Sequence, residues 1–412
     1  MNTNVKSEPP IRFPGFTDPW EQRKVGEIAN KTFGGGTPKT NVPEYWNGNI
    51  PWIQSSNLSE HQLFDVDIQK HITTKGLQKS ATQLVPKNSI AVVSHVGVGK
   101  LVFMPFEYTT SQDFISLADL NTDPTFSCYA LYKKLQDDLH IVQGSAIKGI
   151  TKEVLLNKEI SVPKFAEQKK IGEVLRSMDN LITLHQRKCD ELKNYKKGLL
   201  QQIFPQPGES IPRVRFPGFT DLWEQRKLGE VTQSIKNGYN YKSDGNRNYT
   251  YKITRIETIS SGTINPERLG SSDDVNQNYL LQDGDILFSH INSLPYIGNT
   301  AIYTNNLGPL YHGMNLLNIR TDKEIVDPFF LLYVLKNERS RNWFRMTAKP
   351  AVNQASIPVS DLSEFVFCIP NIEEQRRISS LLIKLDDTIT LHQRKCDELK
   401  NYKKGLLQNM FV

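Results

Sequence analysis

Apolar residues return every three or four positions from Ile171 onward: Val174, Leu175, Met178, Leu181, Ile182, Cys189, Leu192, Tyr195, Leu199 and Ile203. Only His185 and Lys188 interrupt the stripe, so the spacing predicts one long amphipathic helix over 167–204, on the order of 55–60 Å long at 1.5 Å per residue. The same pattern recurs at Ile378, Leu381, Leu382, Leu385, Ile389, Cys396, Leu399, Tyr402, Leu406 and Met410. Asn371, with Glu374 three residues on, is a candidate cap for this second helix. LHQRKCDELKNYKKGLLQ stands letter for letter at 184–201 and at 391–408. A stripe of this length must be covered, and two copies in one chain cover each other most simply as an antiparallel coiled coil. Met178, Leu181, Leu192, Leu199, Leu385, Leu399 and Leu406 are the candidate pairing or docking positions.

The repeat extends beyond the helices. RFPGFTDPWEQRKVGEI at 12–28 returns as RFPGFTDLWEQRKLGEV at 215–231, and GLLQQIF at 198–204 returns as GLLQNMF at 405–411. The chain is therefore a tandem duplication. It divides into a first domain (1–163), a first helix (164–205), a second domain (206–370) and a second helix (371–412). The Pro205-Gln206-Pro207-Gly208 cluster marks the stop between the halves.

Between the shared segments lie two divergent blocks, about 29–163 and 232–370, with the patterning of mixed α and β structure. Short buried strands are expected at 90–93 and 286–288, each entering a Ser-His pair (Ser94-His95, Ser289-His290). Further strands are expected within 98–103 and 297–303, and a helix follows in each block, 126–135 and 327–346. The fold class is α+β: two globular mixed domains separated by two long helices, with pseudo-twofold symmetry.

Composition narrows the function without naming it. The net charge of +6 and a pI near 8.9 permit a polyanionic partner. No run of about 18 apolar residues suggests a membrane span, and MNTNVKSEPP has no apolar core, so no secretory signal is expected. Four cysteines without a CxxC pair point away from a disulfide framework or zinc site and toward the cytoplasm. GGGTPKT at 34–40 lacks the spacing of a phosphate-binding loop and contains Pro38, while VGVGK at 96–100 is followed by Leu101 where Ser or Thr would be needed. HExxH, GxSxG and GxGxxG are absent, and no catalytic constellation or metal cluster is visible in the sequence.

The polar loops hold the residue types that read DNA. In the first block these are Gly34, Gly35, Gly36, Lys39, Ser55, Ser56, Asn57, Gln112 and Lys148. In the second they are Lys236, Asn237, Tyr239, Arg247, Asn292, His312, Asn315, Lys349, Asn353 and Gln354. Asn and Gln pair with adenine, Arg and Lys with guanine or phosphate, and Gly allows close backbone approach.

These features together resemble the specificity subunit of type I restriction–modification systems. The matching segments are the WEQRK-plus-Gly lead-ins at 20–26 and 223–229, the FGGGTPKT…YW.G.IPWI run at 33–53, and the helices opening at Gln168 and Gln375 and ending in KKGLLQ. The resemblance implies that each block is a target recognition domain for one half of a bipartite, asymmetric site in double-stranded DNA. It further implies two DNA adenine methyltransferase subunits docked on the helices, joined by ATP-dependent restriction–translocase subunits. S-adenosylmethionine, ATP and Mg would belong to those partners, leaving this chain with no cofactor and no catalysis of its own. One departure is that Lys236-Asn237-Gly238-Tyr239 stands where the first block has GGGTPKT, so the two reading loops are expected to differ. The competing readings are a protein-interaction scaffold with two binding domains on a coiled-coil spacer, and an enzyme acting alone on nucleic acid.

Overall fold

The computed structural model describes residues 8–141, 149–206, 208–241, 249–260, 262–350, 352 and 354–412. The chain forms two compact units, 1–187 with 393–412 and 188–392. In chain order the first half holds β1 (Glu21–Lys24), α1 (Val25–Ile28), β2 (Ala29–Gly34), β3 (Trp46–Ile53), β4 (Lys70–Ile72), α2 (Thr74–Gln78), β5 (Ser89–Val93), β6 (Leu101–Met104), β7 (Thr109–Thr110), β8 (Phe114–Leu120), α3 (Pro124–Ile141), α4 (Lys152–Leu156), β9 (Glu159–Val162) and α5 (Phe165–Ile203). The second half holds β10 (Glu224–Lys227), β11 (Thr232–Asn237), β12 (Tyr251–Ile253), β13 (Gly270–Ser272), β14 (Ile286–Phe288), β15 (Ile291–Asn292), β16 (Thr300–Ile302), β17 (Leu310–Tyr311), β18 (Leu317–Thr321), α6 (Pro328–Lys336), α7 (Glu338–Thr347), β19 (Lys349–Pro350), β20 (Ala355–Ser356), α8 (Val359–Ser363), β21 (Val366–Ile369) and α9 (Ile372–Asn409).

The two units share three sheets, and among the described residues the second unit adds a fourth, β15-β20-β19. A four-stranded sheet has the order β2-β8-β5-β6 in the first unit and β11-β18-β14-β16 in the second. A three-stranded sheet has the order β4-β3-β7 and, correspondingly, β13-β12-β17; in each the middle strand is antiparallel to one neighbour and parallel to the other. β1 pairs with β9 and β10 with β21. These last strands read EQRK and have no apolar alternation, so the hydrophobic pattern does not reveal them. Their pairing partners lie more than a hundred residues downstream.

Both long helices form as expected, 39 and 38 residues, and Asn371 caps the second by accepting the Glu374 N–H at 2.9 Å. Within the first unit the N-terminal half of α5 packs against the C-terminal half of α9. Lys403 donates to Asp179 (2.6 Å), and the Cys396 thiol faces the Ile182 carbonyl. Within the second unit the roles exchange: Lys196 pairs with Asp386, and Cys189 faces the Ile389 carbonyl. Partner numbers fall on one helix as they rise on the other, so the packing is antiparallel in each unit.

The buried face is not the simple stripe read from the sequence. Met178 is buried and Leu192, Leu199, Leu385, Leu399 and Leu406 are half-buried, but Leu181 is exposed. Tyr195 and Tyr402, placed in the stripe by spacing, are 59% and 65% exposed. The neighbouring lysines, Lys196 and Lys403, turn inward instead. Each meets an aspartate that also accepts a tyrosine hydroxyl: Tyr333 to Asp386 at 2.8 Å, and Tyr129 to Asp179 at 2.5 Å. Burial, followed by the adjacent carboxylate, raises both tyrosine pKa values above their ordinary range. Through these polar contacts each helix half also meets the block's own helix, α3 or α6.

The expected single helix over 327–346 is two helices, α6 and α7. Asn337 breaks it by adopting extended backbone (ψ 141°), and its side chain accepts the Arg339 N–H to start α7.

Candidate nucleic-acid interface

The shared lead-in and the paired Glu-Gln at the helix start are clamps. Arg12 donates to both carboxylate oxygens of buried Glu167 (2.7 and 2.9 Å), and Arg215 does the same to Glu374 (2.7 and 2.8 Å). The hydrogen bond to glutamate is the main cause raising each guanidinium pKa. Gln168 accepts the Asp123 N–H and donates to the Pro163 carbonyl, and Gln375 repeats this with Asp327 and Pro370. Trp20 packs edge-on against Phe126 and Phe411, while Trp223 packs against Phe330 and Phe204. Each helix end therefore closes a core: Phe411 the first unit's, Phe204 the second's.

This frame brings three loop segments together in each unit: the chain after β2 or β11, the chain after β3 or β12, and the connection β7–β8 or β17–β18. In the first unit Gly36 donates its N–H to the Thr110 carbonyl (2.8 Å), its own carbonyl accepts the Trp52 indole N–H (3.0 Å), and Ser111 donates its N–H to the Ile53 carbonyl (2.9 Å). A Cβ on Gly35 would lie 1.7 Å from the Ser111 carbonyl oxygen. Gly34 donates its N–H to Gln83. The glycine run is thus committed to backbone packing, and with the Gly34 and Gly36 amides already paired it does not form a phosphate nest. Lys100 of the second glycine stretch donates to the Leu58 carbonyl (3.0 Å).

The second unit has the same crossing. Tyr239 donates its N–H to the His312 carbonyl, Thr254 to the Tyr311 carbonyl, and Gly313 to the Thr254 hydroxyl. A Cβ on Gly238 would lie 1.8 Å from the Gly313 carbonyl oxygen. Gly238 therefore does the work of Gly35. The missing GGGTPKT conceals a shared close approach that the sequence comparison did not register.

The candidates on these segments differ in accessibility. Lys39, Ser56, Gln112, Lys236 and Asn237 are exposed; Ser55, Tyr239 and Asn315 are half-buried. Gln112 accepts the Thr37 hydroxyl at 2.7 Å. Asn57 is buried, its carboxamide oxygen accepting the Gln54 N–H at 2.8 Å. His312 is buried too, with Nε2 at 3.0 Å from the Leu316 carbonyl oxygen. Burial pushes its pKa down to about 4, against the opposing effect of that hydrogen bond. Asn57 and His312 are framework groups as packed. Asn292, Lys349 and Gln354 gather elsewhere, on or beside the sheet β15-β20-β19, where Lys349 pairs with Asp361 at 2.8 Å. Lys148, Arg247 and Asn353 lie outside the described residues.

The second unit's crossing opens into a groove of about 450 Å³, lined among others by Tyr239, Tyr241, Arg255, Glu257 and Asn315. Tyr239 packs against Tyr241 and Tyr279 with ring centroids 4.9 and 5.2 Å apart. Asn315 has left-handed backbone (φ 66°). Arg255 and Glu257 were not among the candidates. TRIET at 254–258 has no local signal, and its place emerges only when β12 is aligned with β3. Among the described residues no group of three or more His, Cys, Asp or Glu could hold a metal, and no helix is long and apolar enough to cross a membrane.

A duplicated frame with clamped helix ends and two unlike loop edges defines a tandem recognition scaffold. The model for the type I restriction modification DNA specificity domain matches it twice, over 17–194 and 220–401, and the chain belongs to that family. It resembles the putative type I restriction enzyme MjaX specificity subunit of Methanocaldococcus jannaschii, 40% identical over 208 residues, 50% of this chain and 49% of that protein. The MjaVIII specificity subunit of the same organism is 24% identical over 423 residues, covering 98% of this chain and 94% of the relative. The chain thus spans about half the length of the MjaX relative (49%), and likewise of the MjaIX specificity subunit (53%), where it matches them. In fold it resembles the type I restriction–modification S subunit from M. genitalium, with a TM-score of 0.61 at 15% identity over 98% of this chain and 99% of that one.

Proposed function

We propose that this chain is a sequence-specific DNA-binding subunit that reads a bipartite, asymmetric site, one half per recognition domain (1–163 and 206–370), and brings partner enzymes to it. The observation that carries the reading is one frame with two unlike edges: the crossing at Gly35–Ser111 recurs at Gly238–Gly313, while the accessible side chains around it change. Two copies of one task with different targets call for such an arrangement. The readers proposed are exposed Lys39, Ser56 and Gln112 for one half-site, and for the other exposed Lys236, Asn237, Lys349 and Gln354 with half-buried Tyr239 and Asn315, the lysines also neutralising phosphates.

The helices supply the partner surface. Leu184 and Leu391, at equivalent positions, are 61% and 46% exposed, and Tyr195 and Tyr402 lie on the same repeated segments. Two equal apolar surfaces fit two copies of one partner, here a DNA adenine methyltransferase, with an ATP-dependent restriction–translocase joining them. Chemistry and its cofactors then reside in those subunits. The test is single-molecule sequencing of methyl-adenine in DNA from cells carrying this gene with its cognate methyltransferase, against cells lacking it. The expected result is a bipartite motif with one modified adenine per half, lost on deletion. An active methyltransferase with no such motif would favour the protein-scaffold reading.

A further inference from the structure

The second unit's groove and the matching place in the first unit carry a finer assignment, which rests on the DNA-reading function proposed above. In both units the middle strand of the three-stranded sheet runs into a 3₁₀ turn (Ser55–Asn57 and Ile256–Ile259) whose preceding residue is held by the side chain three positions on. That residue is Gln54 in the first unit, its N–H donated to Asn57 at 2.8 Å. In the second unit it is Arg255, its N–H donated to Thr258 at 2.9 Å. The two are the same position in the frame, occupied by different chemistry. At Gln54 the carboxamide donates to the Ser56 hydroxyl (3.0 Å), and the neighbouring loops are tied by the Thr37–Gln112 bond. At Arg255 the same position lines the groove beside the Gly238–Gly313 crossing.

The guanidinium is positioned. A Cβ on Gly270 of the adjacent strand β13 would come within 2.4 Å of Arg255 Nε, so the side chain runs across β13 at a position that carries no side chain. Glu257 lines the same groove as an acceptor, and Tyr239 and Tyr241 form its aromatic wall. A guanidinium donates two parallel hydrogen bonds to guanine O6 and N7, and a carboxylate accepts from cytosine N4. Arg and Glu in one groove therefore match the two halves of a G·C pair. We infer that Arg255 is a specificity-determining residue that reads a guanine in the second half-site, with Glu257 accepting from the paired cytosine.

The test is methylation of a randomised-site DNA library by the full complex with its methyltransferase, comparing wild type with Arg255→Lys, Arg255→Gln and Glu257→Gln, each first checked for unchanged melting. Lysine keeps the charge but lacks the two-pronged geometry. The expected result is that Arg255→Lys relaxes one G·C position of the second half-site by roughly 10- to 100-fold and leaves the first half-site unchanged. Arg255→Gln, which copies the first unit's residue, shifts that position toward adenine, and Glu257→Gln relaxes the same base pair. A uniform loss over all sequences with Arg255→Gln, rescued by Arg255→Lys, would assign the arginine to phosphate and overturn the inference. An unchanged motif in all three variants would overturn it equally. If the wild-type complex itself selects no bipartite motif, the DNA-reading function fails, and that outcome is distinct from a wild-type motif the variants do not alter.

Discussion

The two units differ where a single frame would let them differ. Strand order, the Arg–Glu clamp, the Gln tie, the Trp–Phe–Phe corner and the glycine crossing are the same in both. What changes is the edge: a closed one in the first unit, tied by Thr37 and Gln112, and an open tyrosine-walled groove in the second. The difference teaches that the repeated segments hold the scaffold, while the variable blocks keep its crossing and change both the accessible side chains and some buried ones, as Thr110 against His312.

The hardest blow to either frame is at the helix ends. Phe204→Ala should destabilise the second unit, and Phe411→Ala the first, by about 3–5 kcal/mol each, read by hydrogen exchange in the separate cores. If both variants weakened the same unit, the interleaving would be wrong. Removing one partner of the clamp comes next. Glu374→Ala leaves the half-buried Arg215 uncompensated and should cost about 3 kcal/mol, and Glu167→Ala should cost the same in the first unit. Gly238→Ala should match Gly35→Ala, about 1–3 kcal/mol from forced backbone movement, and a tolerated Gly238→Ala in thermal melts would break the equivalence of the crossings.

Acid separates the units. The folded pKa of His312, about 4, lies below the ordinary 6.5, so its neutral form adds full stability above pH 6.5. Between there and pH 4 the unfolded chain takes up a proton that the folded unit refuses, and stability falls with pH by about 1 kcal/mol per unit. Thr110, at the matched position, does not titrate. The loss should therefore appear in the second unit's exchange rates and shrink in His312→Gln, the remainder belonging to His290, whose pKa burial also lowers. The smallest structural effect is expected from Tyr195→Ser and Tyr402→Ser, within about 0.5 kcal/mol in melting because both are exposed. The same pair should weaken methyltransferase association in analytical ultracentrifugation.

The duplication, the two long helices and the mixed α and β class were legible because apolar periodicity and exact repetition are local signals. The strands β1 and β10 were not, since EQRK carries no alternation and is fixed by a distant partner. Spacing alone also misplaced Tyr195 and Tyr402, because the inward-turned Lys196 and Lys403 take their charge partners from the other helix. The candidate loops were found by residue type, which selected exposed Lys39 and Gln112 together with buried Asn57 and His312. Burial is a tertiary property that composition does not carry. Arg255 went unnoticed because its meaning lies in its match to Gln54, visible only once β12 and β3 are known to be equivalent strands.

The central claim is that one frame accepts either edge. The direct measurement is to replace block 232–370 with a second copy of block 29–163, confirm folding by melting, and sequence methyl-adenine in cells carrying the chimera and its methyltransferase. The account predicts a symmetric motif built from two copies of the first half-site in inverted orientation. A folded, methyltransferase-bound chimera that still marked the original asymmetric motif, or marked a motif unrelated to the first half-site, would contradict it.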